Sequence, residues 1–114
     1  MAPEVMMRMP HNQSVDFWAV GVILYEIMNF KRPYNGRSKQ EIKEQMLAKS
    51  VQMKHHDIPE EWSIEAADLC NRLIRRKAAE RMSSAEQIKK HPWFRGFNWE
   101  SLFAGQMIAP WVPP

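Results

Sequence analysis

Asp16-Phe17-Trp18-Ala19-Val20-Gly21-Val22-Ile23-Leu24-Tyr25-Glu26-Ile27-Met28 contains the longest run of the chain without a charged or polar side chain other than the Tyr25 hydroxyl, residues 17–25. It has no Pro and a single Gly. At helical spacing its apolar residues point in every direction, the pattern of a helix inside a core. At roughly 1.5 Å per residue it would run about 20 Å, the width of a small domain and too short for a bilayer. Ser14 is a candidate N-cap, with Asp16 in the first turn, where the helix end carries partial positive charge. Asn29 and the basic pair Lys31-Arg32 suit the C-terminal end. Val22-Ile23-Leu24-Tyr25 is β-prone, so a strand is the rival reading, and the length of the run favours helix.

The flanking sequence predicts more helices. Ala2-Pro3-Glu4-Val5-Met6-Met7 reads as one turn with Pro3 near its start, and residues 8–13 as a loop. Arg32-Pro33-Tyr34-Asn35-Gly36 is turn chemistry. Ser38-Lys39-Gln40-Glu41 matches a capping box opening a helix to about Ala48. Its narrow stripe of Ile42, Met46 and Leu47 places that helix at the surface. Residues 50–62 read as a polar loop. Ser63 caps a helix with the apolar face Ile64, Ala67, Leu69, Cys70, Leu73 and Ile74, and Ser83-Ser84-Ala85-Glu86-Gln87 opens another that ends before Pro92. From Arg95 onward Pro110, Pro113 and Pro114 predict an extended tail. The class expected is mostly α.

With 114 residues, 45% hydrophobic and 11% aromatic, the chain suffices for one small globular domain. A net charge of +3 is too mild to predict nucleic acid as partner. The single cysteine, Cys70, excludes an internal disulfide and fits the cytoplasm or another reducing intracellular compartment. Its apolar helical setting reads as a buried small hydrophobe. Met1-Ala2-Pro3-Glu4 lacks the basic-then-apolar pattern of a leader, so none is expected, and no membrane segment is predicted. His55-His56-Asp57 reads as a solvated loop, because adjacent His residues point apart, and no metal is predicted. Glu60-Glu61 reads as charge favouring the next helix N-terminus.

Ala2-Pro3-Glu4, Asp16-x-Trp18-x-x-Gly21 in an apolar helix, Arg81 after a later helix, and His91-Pro92-Trp93-Phe94 follow one another in order. Together they resemble the C-terminal helical lobe of a protein kinase domain, in which A-P-E is a signature. Residues 32–53, Phe97-Asn98-Trp99-Glu100 and Ala109-Pro110-Trp111-Val112-Pro113 resemble more narrowly the AGC group, which includes the cyclic-nucleotide-dependent kinases. The resemblance implies an incomplete kinase fold: residues 1–94 form the helical lobe from the A-P-E element, and residues 95–114 begin an AGC-like C-terminal tail. Lys77-Ala78 departs from the family, which usually has Asp or Asn followed by Pro there.

The resemblance also implies roles. Glu4 and Arg81 would form a buried ion pair. Asp16 would hold the catalytic-loop backbone, or serve only as a helix-start carboxylate, and Trp18 would pack under the activation segment. Ile23 and Ile27 would support the column of side chains completed by adenine, and without that column they are exposed apolar surface. Glu26 would receive a substrate Arg, or be solvated or locally paired. The complete kinase would use ATP and Mg2+ to phosphorylate serine or threonine in basic protein substrates. The phosphate-binding Gly-rich loop, strand Lys, catalytic Asp and metal-binding Asp all precede A-P-E in the family. None occurs in the 114 residues, so no catalytic or metal residue is assigned here, Ile23 and Ile27 give only indirect support on the cofactor side, and the chain alone is expected to be inactive. The alternative function is a non-catalytic interaction module, which shares the lobe. An unrelated small helical bundle is the third reading.

Overall fold

Six α-helices and three single 3-10 turns make up all the regular structure of the computed structural model, which describes residues 1–114. There is no strand, and the β-prone run 22–25 lies inside a helix. The α-helices are α1 (Pro3–Met6), α2 (Ser14–Asn29), α3 (Lys39–Ala48), α4 (Ile64–Leu73), α5 (Ala85–Lys89) and α6 (Trp99–Phe103).

Capping chemistry sets most of these boundaries. The hydroxyls of Ser38, Ser63 and Ser84 accept from the amides of Glu41, Ala66 and Gln87, at 3.2, 3.1 and 3.1 Å. Each satisfies one of the donors that a helix start leaves free. The reciprocal half of the predicted capping box is displaced by one residue. Glu41 Oε2 accepts from the amide of Arg37 at 2.7 Å, and Gln87 Oε1 from that of Ser83 at 3.0 Å.

Ser14 does not cap α2. The position before the helix is Gln13, whose side chain makes no cap bond, and Asn12 Oδ1 accepts from the Ser14 amide at 2.9 Å. The Ser14 hydroxyl is drawn away by Glu4, a longer-range partner that competes with the local one. At the other end Asn29 stays helical and Phe30 takes the left-handed conformation, φ 58°, with its amide donating to Glu26 O at 2.8 Å.

The core sits where α2 crosses α4. Trp18, Tyr25 and Met28 from α2 meet Ala66, Ala67 and Cys70 from α4 and Ile74 just after it. Tyr34, Met46 and Met53 close the cluster. Burying side chains the size of Met28 or Ile74 contributes about 1.5–3 kcal/mol each. The crossing is close because Gly21 lies at it: a Cβ there would stand 2.6 Å from Leu73 Cβ and 3.0 Å from the Leu73 carbonyl carbon.

Two apolar expectations are corrected. α2 is not enclosed all round: Val20, Ile23 and Ile27 are 49%, 57% and 54% exposed, because α4 covers one face and nothing in the chain covers the other. Ile64 is also exposed, at the first turn of α4, and Ala66 takes the buried place instead.

The tail is extended only after α6. Asn98 Oδ1 accepts from the Ser101 amide at 3.0 Å. Gly105, φ 72°, ends the helix: its amide donates to Leu102 O at 3.1 Å and that of Gln106 to Ser101 O at 2.9 Å. That paired closure favours glycine at the left-handed position. The prolines lie beyond it and block nothing before Gly105.

Candidate functional site

The junction of α1, α2 and the segment after α4 is built around Arg81. Its side chain is fully enclosed, and the Glu4 carboxylate is nearly so. Nη1 donates to Glu4 Oε2 at 2.8 Å and Nη2 to Glu4 Oε1 at 3.0 Å, across 77 sequence positions. The remaining bonds run from Nη1 to Ser14 O (3.0 Å), Nη2 to Arg76 O (3.2 Å) and Nε to Arg75 O (3.0 Å). All five donors of the guanidinium are thereby satisfied. Lysine has three donors and no planar fork, so it could not reproduce this set. Ser14 Oγ donates to Glu4 Oε2 at 3.4 Å. The Arg81 hydrogen bonds hold the Glu4 carboxyl below its ordinary range; burial opposes them and loses.

Trp18 lies beneath this pair, 2% exposed. Its ring stacks on Tyr34 with centroids 6.0 Å apart, and the Arg81 guanidinium carbon stands 5.2 Å from its ring centre. On the opposite face of α2, Ile23 and Ile27 are exposed, four residues apart. Asp16, at the start of the helix, is exposed, and its carboxylate accepts no side-chain hydrogen bond within the chain. Glu26 is locally paired, its Oε1 3.5 Å from Arg32 Nε, with both side chains exposed. The structure thus brings Glu4, Arg81 and Trp18 together and leaves Asp16, Ile23, Glu26 and Ile27 facing solvent.

No group of three or more His, Cys, Asp or Glu side chains is arranged to hold a metal ion. Cys70 is fully buried, its Sγ 3.5 Å from Gly21 O, and burial pushes its thiol up to about 12. It packs as a small hydrophobe and is not a nucleophile at neutral pH. No helix is long and apolar enough to cross a membrane.

The profile of the protein kinase domain matches residues 1–94. The chain belongs to the protein kinase domain family. It is similar, at 35% identity over 99% of its length, to the "Probable serine/threonine protein kinase IRE" of Arabidopsis thaliana. It is 34% identical to the cAMP-dependent protein kinase type 3 of Saccharomyces cerevisiae, over 100% of the chain. The same identity holds to the human cGMP-dependent protein kinase 2, over 96% of the chain. The chain spans 10%, 28% and 15% of the lengths of these three relatives. All are kinases by name, two of them cyclic-nucleotide-dependent, and the helical structure is that of the C-terminal lobe of the kinase fold.

Two features of this kinase lobe escaped the sequence reading. His91 is buried; its Nε2 donates to Asp68 Oδ2 at 2.7 Å and its Nδ1 accepts from the Trp93 amide at 3.1 Å. Those bonds assign the proton of a neutral ring to Nε2. Burial raises the Asp68 carboxyl, but the hydrogen bonds from His91 and Arg72 outweigh it and leave it below its ordinary value. The second feature is an aromatic cluster, in which Phe94 and Phe97 each have a ring centre 4.7 Å from that of Trp99. Trp93 joins it through Phe94 at 5.2 Å. His91 and Asp68 lie 23 positions apart, and no spacing rule links them; the run Trp93-Phe94 with Phe97 and Trp99 was a visible signal for the cluster.

Proposed function

We propose that the chain is the helical platform of an ATP-dependent serine/threonine protein kinase, AGC-like, and supplies part of its peptide-docking surface. In the complete domain the γ-phosphoryl group of ATP passes, with magnesium, to a protein hydroxyl. Glu4, Arg81 and Trp18 brace the platform, Asp16 holds the catalytic loop, and Ile23 and Ile27 underlie the adenine-side column. Residues 95–114 begin the C-terminal tail. The supporting observation is the bare face of α2: an apolar stripe beside an open carboxylate, on a helix whose other face is the core. Such a surface is a seat for further protein, here the catalytic half of the kinase domain.

Glu26 receives a substrate Arg in this reading, displacing Arg32 from an exposed and therefore weak pair. The test is a kinase domain in which these residues replace the matching lobe of the human cGMP-dependent relative. Phosphoryl transfer by that chimera is expected. A folded but inactive chimera would refute the platform role. Glu26→Gln in the chimera should weaken basic peptides and spare neutral ones; equal loss on both would reduce Glu26 to a structural residue. The 114 residues alone are expected to transfer no phosphate, which also suits the second reading, a non-catalytic lobe that binds other proteins through the same stripe. Magnesium-dependent activity of the purified chain would overturn both.

A further inference from the structure

Tyr25 is packed in the core with 8% of its surface exposed. The other tyrosine, Tyr34, has its hydroxyl fully used: it accepts from the Val51 amide at 2.8 Å and donates to Lys49 O at 3.4 Å. The Tyr25 hydroxyl has no hydrogen-bond partner in the chain. It is not sealed either, since Trp99 Nε1 is the only fully enclosed side-chain polar atom lacking a partner. Tyr25 instead lines a cleft of about 490 Å³ between the end of α2, the end of α3 and the segment that follows α3.

The cleft carries an excess of positive charge. Lys31, Arg32 and Lys49 line it, against the single acid Asp57. Asp57 is already engaged: Oδ2 accepts from the Lys54 amide at 3.0 Å, and Oδ1 stands 3.3 Å from His56 Nε2. Lys31 and Lys49 have no ion pair, and that of Arg32 with Glu26 is exposed at 3.5 Å. The walls are held in place. Besides the Tyr34 bridge, Asn71 accepts from the Met53 amide at 2.8 Å and donates to Met53 O at 2.9 Å. Burial, with Cys70 and Asp57 nearby, raises the Tyr25 hydroxyl, so it keeps its proton and remains a donor.

We propose that this cleft binds a phosphate monoester dianion, with Lys31, Lys49 and Arg32 as counter-charges and the Tyr25 hydroxyl as a hydrogen-bond donor. With Arg32 on Glu26, the cleft keeps about one unmatched positive charge; a dianion that draws Arg32 off that exposed, weak pair meets two, a better match than a carboxylate would make. Hydrogen bonds to an ionised acceptor are the strong ones, and fixed walls lower the ordering cost of binding. Ile23 and Ile27 are not among the lining residues, and the cleft shares only Arg32 with the proposed docking surface around Glu26.

The experiment is a magnetic-resonance titration of the full chain with inorganic phosphate and, separately, with a phosphoserine peptide, at ionic strength matched with chloride. Saturable shifts are expected at the amides of Lys31, Arg32, Tyr34 and Asn35 and of residues 49–53. Lys31→Met with Lys49→Met, both at exposed positions, should weaken binding about tenfold or more. Tyr25→Phe keeps the ring and should weaken it about tenfold or more, the loss of one hydrogen bond to a charged acceptor. Tighter binding of the peptide would identify a phosphorylated protein as the source, and equal binding a free phosphate. No saturable shift with either probe, or affinity unchanged in both variants, would overturn the proposal.

Discussion

Trp18, Gly21, Tyr25 and Met28 are buried on one face of α2, while Val20, Ile23 and Ile27 keep about half their surface in water on the other. The two faces are built from similar side chains. What separates them is the partner each has within the chain. The first is fixed by a close crossing at Gly21 and by the ion pair that ties the start of the chain to Arg81. The second has no partner among the 114 residues. Apolar patterning therefore states that a surface needs cover, and close contacts and charge state where the cover comes from.

The largest effect is expected where the covered face is locked. Arg81→Met leaves Glu4 buried without its partner and should cost about 3–5 kcal/mol. A double-mutant cycle with Glu4→Gln, followed by thermal unfolding, should be strongly non-additive. Additive losses would show that the bidentate pair does not hold the junction together.

Gly21→Ala comes next. Alanine is the better helix former by about 1 kcal/mol, yet its Cβ would meet Leu73 side chain and backbone at 2.6 and 3.0 Å. Overpacking of that kind costs about 1–3 kcal/mol or more, and the contact with backbone cannot be relieved by a rotamer change. A net loss of up to about 2 kcal/mol is expected by denaturant unfolding. A gain in stability would mean that the helices part easily there.

Acid should erode the covered face gradually. The folded Glu4 carboxyl lies below its ordinary 4.5. The unfolded chain therefore takes up its proton first as pH falls. The contribution of the pair is complete above about pH 4.5 and is lost as pH falls through the lower folded value. Asp68 shifts in the same direction, so Glu4→Gln should remove part, not all, of the acid sensitivity of the unfolding transition. An unchanged pH profile in that variant would contradict the pairing.

The smallest change in stability belongs to the bare face. Ile23→Ser with Ile27→Ser should alter unfolding free energy by about 0.5 kcal/mol or less per site, since both are exposed. Self-association and binding of a hydrophobic dye should fall in the same variant. A large destabilisation would show that the stripe is covered after all.

How far the sequence carried depended on the range of the interaction. Bonds within one helical turn were legible: the Ser38, Ser63 and Ser84 caps lie three residues from the amides they accept from. The Glu4 and Arg81 pairing came from family resemblance, because no local rule reaches across 77 positions. Where a distant partner competed with a near one, the local reading failed, as when Ser14 turned to Glu4 and left capping to Asn12. α6 was missed because the prolines after Ala109 drew attention from Asn98 and Gly105, the two residues that delimit it. The unpartnered hydroxyl of Tyr25 had no signature in sequence at all, since it depends on which neighbours decline to meet it.

The Glu4–Arg81 contact has a further consequence for the continuity of the chain. It closes the polypeptide into a ring much as a covalent clasp would. Arg76 Nη1 bonded to Met46 O, and Asn71 bonded to the backbone of Met53, draw the same two arcs together. All of these clasps join a residue before Lys54 to one after Trp62, as does the crossing of α2 on α4. The exposed residues His55, His56 and Asp57 lie between the two arcs. A protease cut there would break the backbone and sever none of the clasps, leaving two pieces that behave as one body.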